Sequence, residues 1–209
     1  MDNDVKKIIA ILCAGIIVFV MIYGSYLPLR KAQGYINSLR QGETREFASA
    51  EELLEIFKNA LAYPSPIGQE ELVRNTANSM LGFVQRETRP EVIRAFVTFT
   101  DESYAPIIAR NKGMSFGQDL YLLGIINEIA FLRTKDPSYL GAARKYFLLG
   151  SEMGPNRPQP LYGLLDVARI EGNVEAYRVI AERILALWPN DIDVKTEVDN
   201  LKKQLTGKK

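Results

Sequence analysis

Histidine is missing from all 209 residues, and with it go the commonest general base near neutral pH and the commonest zinc ligand. Cysteine occurs once, at Cys13, so neither an internal disulfide nor a thiolate cluster can form. Neither sign of charge is in surplus: 26 basic side chains face 25 acidic ones, for a formal net charge of +1. A nucleic-acid partner is therefore not expected, because displacing counterions from phosphates needs a basic excess. The sequence also lacks a phosphate-binding glycine loop, a nucleophile triad and any metal-ligand spacing. The paired carboxylates, Glu51-Glu52, Glu70-Glu71 and Asp101-Glu102, are sequence neighbours. On a helix such neighbours point about 100° apart, whereas a glycosidase pair must face one cleft. These absences predict a protein that is not an enzyme, with no catalytic residue, no cofactor and no metal.

What is present is unevenly spread. Ile8 to Leu29 is uncharged and dominated by Ile, Val, Leu and Phe. As a helix it would measure roughly 33 Å, enough for a hydrocarbon core of about 30 Å. Lys6-Lys7 and Arg30-Lys31 flank it, and Tyr23 and Tyr26 sit where an interfacial aromatic belt would lie. A cleaved signal peptide would have a shorter apolar run and a better small-residue site than Tyr23-Gly24-Ser25-Tyr26. The expectation is a single-pass anchor. The count of Arg30, Lys31, Arg40 and Arg45 against Lys6 and Lys7 favours a cytoplasmic soluble part. The short basic tail ahead of the apolar run has instead the form of an exporting signal-anchor. We adopt the second reading, an extracytoplasmic soluble part.

The remainder reads as helices. Residues 29–66 form a first pair: Leu29, Ala32, Ile36 and Leu39 recur at helical spacing, Gly42 stops that helix, and Pro28 is placed to bend or cap its start. Ser49-x-x-Glu52 opens the next helix as a capping box, and Leu53, Ile56, Phe57, Ala60 and Leu61 give it an apolar face. Residues 67–114 form a second pair, with Leu72, Val73, Thr76, Met80, Leu81 and Val84 inward in one helix and Ile93, Phe96, Val97, Tyr104, Ile107 and Ile108 following Pro90. Pro106 is expected to kink or end that helix, and Asn111-Lys112-Gly113 to stop it. Ser115-x-x-Gln118 is a second capping box and Asp136-Pro137 an N-cap. Residues 115–157 and 158–191 make two further pairs. Residues 192–209 close the chain with an amphipathic helix carrying Val194, Val198, Leu201 and Leu205.

Pro155 and Pro189 stand 34 residues apart, with Gly172-Asn173 at the joint between two helical halves. A helix–turn–helix repeat of that length is the tetratricopeptide period. Leu123-Gly124, then Ala143 and Phe147, then Pro155 fit its pattern, with Gly150 small enough for close helix approach. In the next unit Leu161, Leu164, Gly172 and Pro189 fit, while Leu165 replaces the glycine and Tyr177 the alanine. The expected fold class is all-α: one transmembrane helix followed by an α-solenoid of tetratricopeptide-like hairpins and a capping helix.

Over most of its length the chain also resembles the last membrane helix and C-terminal repeat region of bacterial O-antigen ligase or polymerase-like proteins. The residues that carry this are Leu29-Arg30-Lys31-Ala32, Phe57-x-x-Ala60-Leu61-Ala62-Tyr63, Gly68-Gln69-Glu70-Glu71 and Pro155 to Tyr162. The resemblance implies a place in envelope polysaccharide assembly. It does not imply ligase activity, which belongs to a polytopic part of those proteins.

A solenoid binds along the concave surface lined by the first helix of each pair. Gln118 matches Gln159 there, Tyr121 matches Tyr162, Glu128 matches Arg169, and Asp166 shares the face. Tyrosines supply rigid contact area and the polar groups can read a peptide. The competing role for these tyrosines is packing between helices. Two functions follow: a membrane-anchored scaffold taking a protein or peptide partner, or a glycan-binding accessory or non-catalytic remnant of a polymerase.

Overall fold

A computed structural model describes residues 3–45, 47–113 and 115–206, with side chains described as far as Asn200. Among the described residues every regular element is helical, as the patterning predicts. The chain divides into two compact units, Met1–Ser79 and Met80–Lys209.

The first unit begins with one continuous helical rod. Helix α1 (Asn3–Met21) passes through a wider π-type turn, Ile22–Tyr26, into α2 (Leu27–Thr44). The rod is long and apolar enough to cross a membrane, and its apolar side chains from Ile8 to Met21 are exposed. Pro28 explains the wide turn. Proline has no N–H and its ring collides with the carbonyl four residues back, here that of Gly24. Widening the turn removes that collision, and the Leu27 N–H reaches the Ile22 carbonyl instead. Pro28 therefore stands in the first turn of α2 without interrupting the rod. Gly42 does not stop it either: α2 ends at Thr44, where Arg45 turns extended.

Helix α2 packs on α3 (Ala50–Ala62), and its most buried residues are not those of the apolar stripe. Its buried residues are Lys31, Tyr35 and Ser38, while Leu29 and Ile36 stay exposed. The physical reason is that α3 offers unpaired backbone acceptors. The Lys31 ammonium donates to the Leu61 carbonyl at 3.0 Å and the Tyr63 carbonyl at 2.7 Å, and to Gln69 Oε1. It thereby satisfies the C-terminal end of α3, where the macrodipole also favours a cation. Ser38 donates to the Ile56 carbonyl at 2.9 Å. The capping box of α3 forms: Ser49 Oγ accepts from the Glu52 N–H, and the Glu52 carboxylate reaches back to the Ala48 N–H at 3.0 Å. Helix α4 (Gln69–Arg86) begins after Gly68, whose φ of +85° suits a residue without a Cβ. The division between the two units falls inside α4.

The second unit continues with α5 (Pro90–Arg110), α6 (Phe116–Thr134), α7 (Pro137–Met153), α8 (Pro158–Ile170), α9 (Val174–Leu187) and α10 (Ile192–Thr206). Pro106 does not end α5, which runs a further turn to Arg110 and stops at Asn111 in the left-handed conformation. Ser115 precedes α6, but its side chain makes no capping bond. Its carbonyl takes the Gln118 and Asp119 amides instead. Asp136 Oδ1 caps α7 through the Ser138 N–H at 3.0 Å, and Asn173 Oδ1 caps α9 through the Ala176 N–H at 3.0 Å. The Leu201 and Leu205 side chains lie outside the described residues, while Val194 and Val198 are buried.

Helix α6 is apolar on most sides because it is covered by α5, α7 and α8. Consecutive helices from α5 to α10 pack on one another. The centre of this unit is the Phe147 ring on α7, which is fully buried. It lies against two glycines: a Cβ on Gly163 of α8 would come within 2.5 Å of the ring, and one on Gly124 of α6 would also overlap it. Ala143, one turn earlier, is equally buried. Gly150 lets α7 approach the start of α8, since a Cβ there would meet Pro160 at 3.2 Å. Pro155 and Pro189 each stand two residues beyond the end of a helix.

Candidate functional site

The seven residues singled out on the face of α6 and α8 fall into two neighbouring groups and one outlier. Gln118, Tyr121 and Gln159 line a groove of about 570 Å³ at the N-terminal ends of the two helices, together with Gly117, Arg157 and Pro158. Gln118 and Gln159 are exposed and Tyr121 is half-buried. Tyr121 both packs on its neighbours and lines the groove. Its ring lies tilted against Phe147, centroids 5.9 Å apart.

Glu128, Asp166 and Arg169 form the second group, further along the same two helices. Arg169 donates to Asp166 and reaches Glu197 of α10 at 3.6 Å. Glu128 is only 8% exposed, and its Oε2 has no hydrogen-bond partner. Burial pushes its carboxyl up to about 7; the neighbouring Asp166 charge adds to the shift and Arg169 opposes it. The Asp166 carboxyl also lies above its ordinary range, through burial first, with Arg169 pulling it down and Glu197 pushing it up. Burial raises the Tyr121 phenol as well, helped by the charges of Glu128 and Asp166. Tyr121 is thus the link between the groove and the acidic group.

Tyr162 is the outlier. Its hydroxyl donates to Asp191 in the turn before α10, a bond that lifts the phenol to about 12 and holds the carboxyl below its usual range. Asp191 Oδ1 in turn accepts from the Val194 N–H at 3.0 Å and caps α10. Tyr162 therefore fastens α10 to α8 and does not line the groove with Tyr121.

Sequence matching missed several participants. Tyr177 of α9 donates to Glu197, which brings α10 onto this face. A hollow of about 240 Å³ lies beside Arg169, lined also by Tyr177, Glu197 and Asn200. Glu197 carries no repeat signature, so only its place on the polar side of the last helix could have marked it. Gly163 was also missed, because the register aligned Leu165 with Gly124. Neither a protein-family model, nor a curated protein, nor a solved structure matches this chain.

Proposed function

We propose that the chain is a single-pass membrane scaffold whose second unit holds two tetratricopeptide-like hairpins, α6–α7 and α8–α9, closed by α10. On this reading α6, α8 and α10 present one face to a protein or peptide partner, and the chain performs no chemistry of its own. The soluble part is read as extracytoplasmic, with a role in envelope polysaccharide assembly. The observation that carries the reading is Phe147, wedged between Gly124 and Gly163. An aromatic of a second helix seated between two first helices is the packing that the repeat pattern calls for. It holds α6 and α8 side by side, as α6–α8 contact requires. The groove beside Gln118, Tyr121 and Gln159 is then a peptide-sized recess on the binding side.

Site-specific photocrosslinking of the full chain in its native membrane tests this. A photoreactive residue at Gln118 or Gln159 is expected to capture a discrete protein, whereas one at exposed Lys58 or Glu182 captures none. Equal capture from all four positions contradicts a directed face. Labelling of polysaccharide in place of protein at Gln118 and Gln159 supports the glycan-binding alternative.

A further inference from the structure

We infer that the face formed by α6, α8 and α10 accepts a cationic side chain, a lysine or arginine of its peptide partner, between Glu128 and Asp166. This rests on the peptide-binding reading above and names the chemistry of the ligand. Among the described side chains, three carboxyls, Glu128, Asp166 and Glu197, share one guanidinium, that of Arg169. An acidic cluster alone would signify little. Here Glu128 is more than nine-tenths buried, yet Oε2 has no donor, and buried carboxyl oxygens are rarely left so without a purpose. Arg169, the cation that acts on its carboxyl, is bonded to Asp166 instead.

Arg169 is placed to yield. Its side chain is exposed, and it already reaches Glu197 with the nitrogen not bound to Asp166. A swing fully onto Glu197 would vacate Asp166, the carboxylate that acts on Glu128 from α8. An incoming ammonium or guanidinium would then meet two carboxylates at once, with charge-assisted bonds to both. Arg169 is, in this picture, the chain's own stand-in for the ligand's cation.

Binding should release a proton. An empty site holds Glu128 partly protonated near neutrality, and a bound cation favours the carboxylate. The groups that face it support this assignment. Tyr121 lies on its own helix, and Asp166 and Arg169 act on it from α8. Glu197 of α10 acts on Asp166 and is held by Tyr177 of α9. On α5 and α7, Asp101 is engaged by Tyr146 and Arg144 by Glu171.

The test uses the full chain in lipid nanodiscs and a position-scanning set of N-acetylated, C-amidated heptapeptides, each with one fixed residue. Sets fixed as Lys or Arg at one position should be retained at least tenfold above the norleucine set. Glu128→Gln and Asp166→Asn should each remove most of that preference, and Arg169→Gln should strengthen retention. In the wild type, retention should fall about tenfold from pH 8 to pH 6, as a group titrating near 7 requires. Retention with no Lys or Arg preference, or a preference indifferent to Glu128→Gln, Asp166→Asn and pH, overturns the cation site and leaves the peptide-binding reading standing. No retention of any set overturns both.

Discussion

Each unit buries an ionisable side chain in a helix, and the two are treated in opposite ways. Lys31 in the first unit is 4% exposed and donates to three acceptors, so its charge is fully engaged. Glu128 in the second is 8% exposed and keeps an oxygen without a donor. A buried charge with its bonds complete fixes structure; one left incomplete stores a demand for a ligand or a proton. Burial lowers the Lys31 pKa from its ordinary value, yet its ammonium still has backbone carbonyls to bind. Glu128 instead meets a second carboxyl, Asp166, and its proton becomes negotiable near neutral pH. The contrast places a fully bonded charge beside the apolar rod and an incompletely bonded one on the face of α6 and α8.

The sharpest way to break the comparison is at Lys31. Lys31→Met keeps the stem but leaves the Leu61 and Tyr63 carbonyls without their donor. It should destabilise the first unit by about 3 kcal/mol, read as a lowered urea midpoint of the full chain in detergent. Next comes the packing that sets α6 beside α8. Gly124→Ala forces a methyl into the Phe147 ring and should cost about 1–3 kcal/mol by the same measurement, with Gly163→Ala similar.

The opposite sign is expected at Glu128. Its folded pKa of about 7 lies above the ordinary carboxyl value of 4.5, so the native state binds the proton more tightly than the unfolded chain does. Its stabilising contribution is therefore present at pH 4 and lost as pH rises to 7. Glu128→Gln keeps the uncharged shape, so it should raise stability at pH 8 by about 1–3 kcal/mol and change it little at pH 4. A loss of stability at pH 8 would make Glu128 a structural residue like Lys31. The smallest effect is expected at Tyr162. Removing its hydroxyl as Tyr162→Phe should cost at most about 1 kcal/mol, seen as faster amide exchange in α10 while α6 is unchanged.

The helices and most of their ends were legible because the cues are local. Ser49, Asp136 and Asn173 cap as their types predict, and Asn111 stops α5 in the left-handed turn. The apolar rod was legible from its length and composition. What escaped was set by partners distant in sequence. Nothing in Leu29-Arg30-Lys31-Ala32 reveals that α3 will end where Lys31 can satisfy it, so the spacing of Leu29, Ala32, Ile36 and Leu39 marked a helix without showing that Lys31, Tyr35 and Ser38 are its buried residues. Gly42 and Pro106 carry the marks of helix ends, yet the helices run through them. The candidate face was legible as a set of positions, but its division into a groove and an acidic group was not. Tyr162 turned away because Asp191 lies within its reach.

The most direct measurement is the carbon-13 titration of the Glu128 side-chain carboxyl in the full chain, in detergent micelles, with and without a retained lysine-bearing peptide. A midpoint near pH 7 that drops when the peptide binds is the result expected of a site held ready for a cation. A midpoint near 4.5, indifferent to the peptide, would mean that Glu128 is an ordinary solvated carboxylate and would contradict the account.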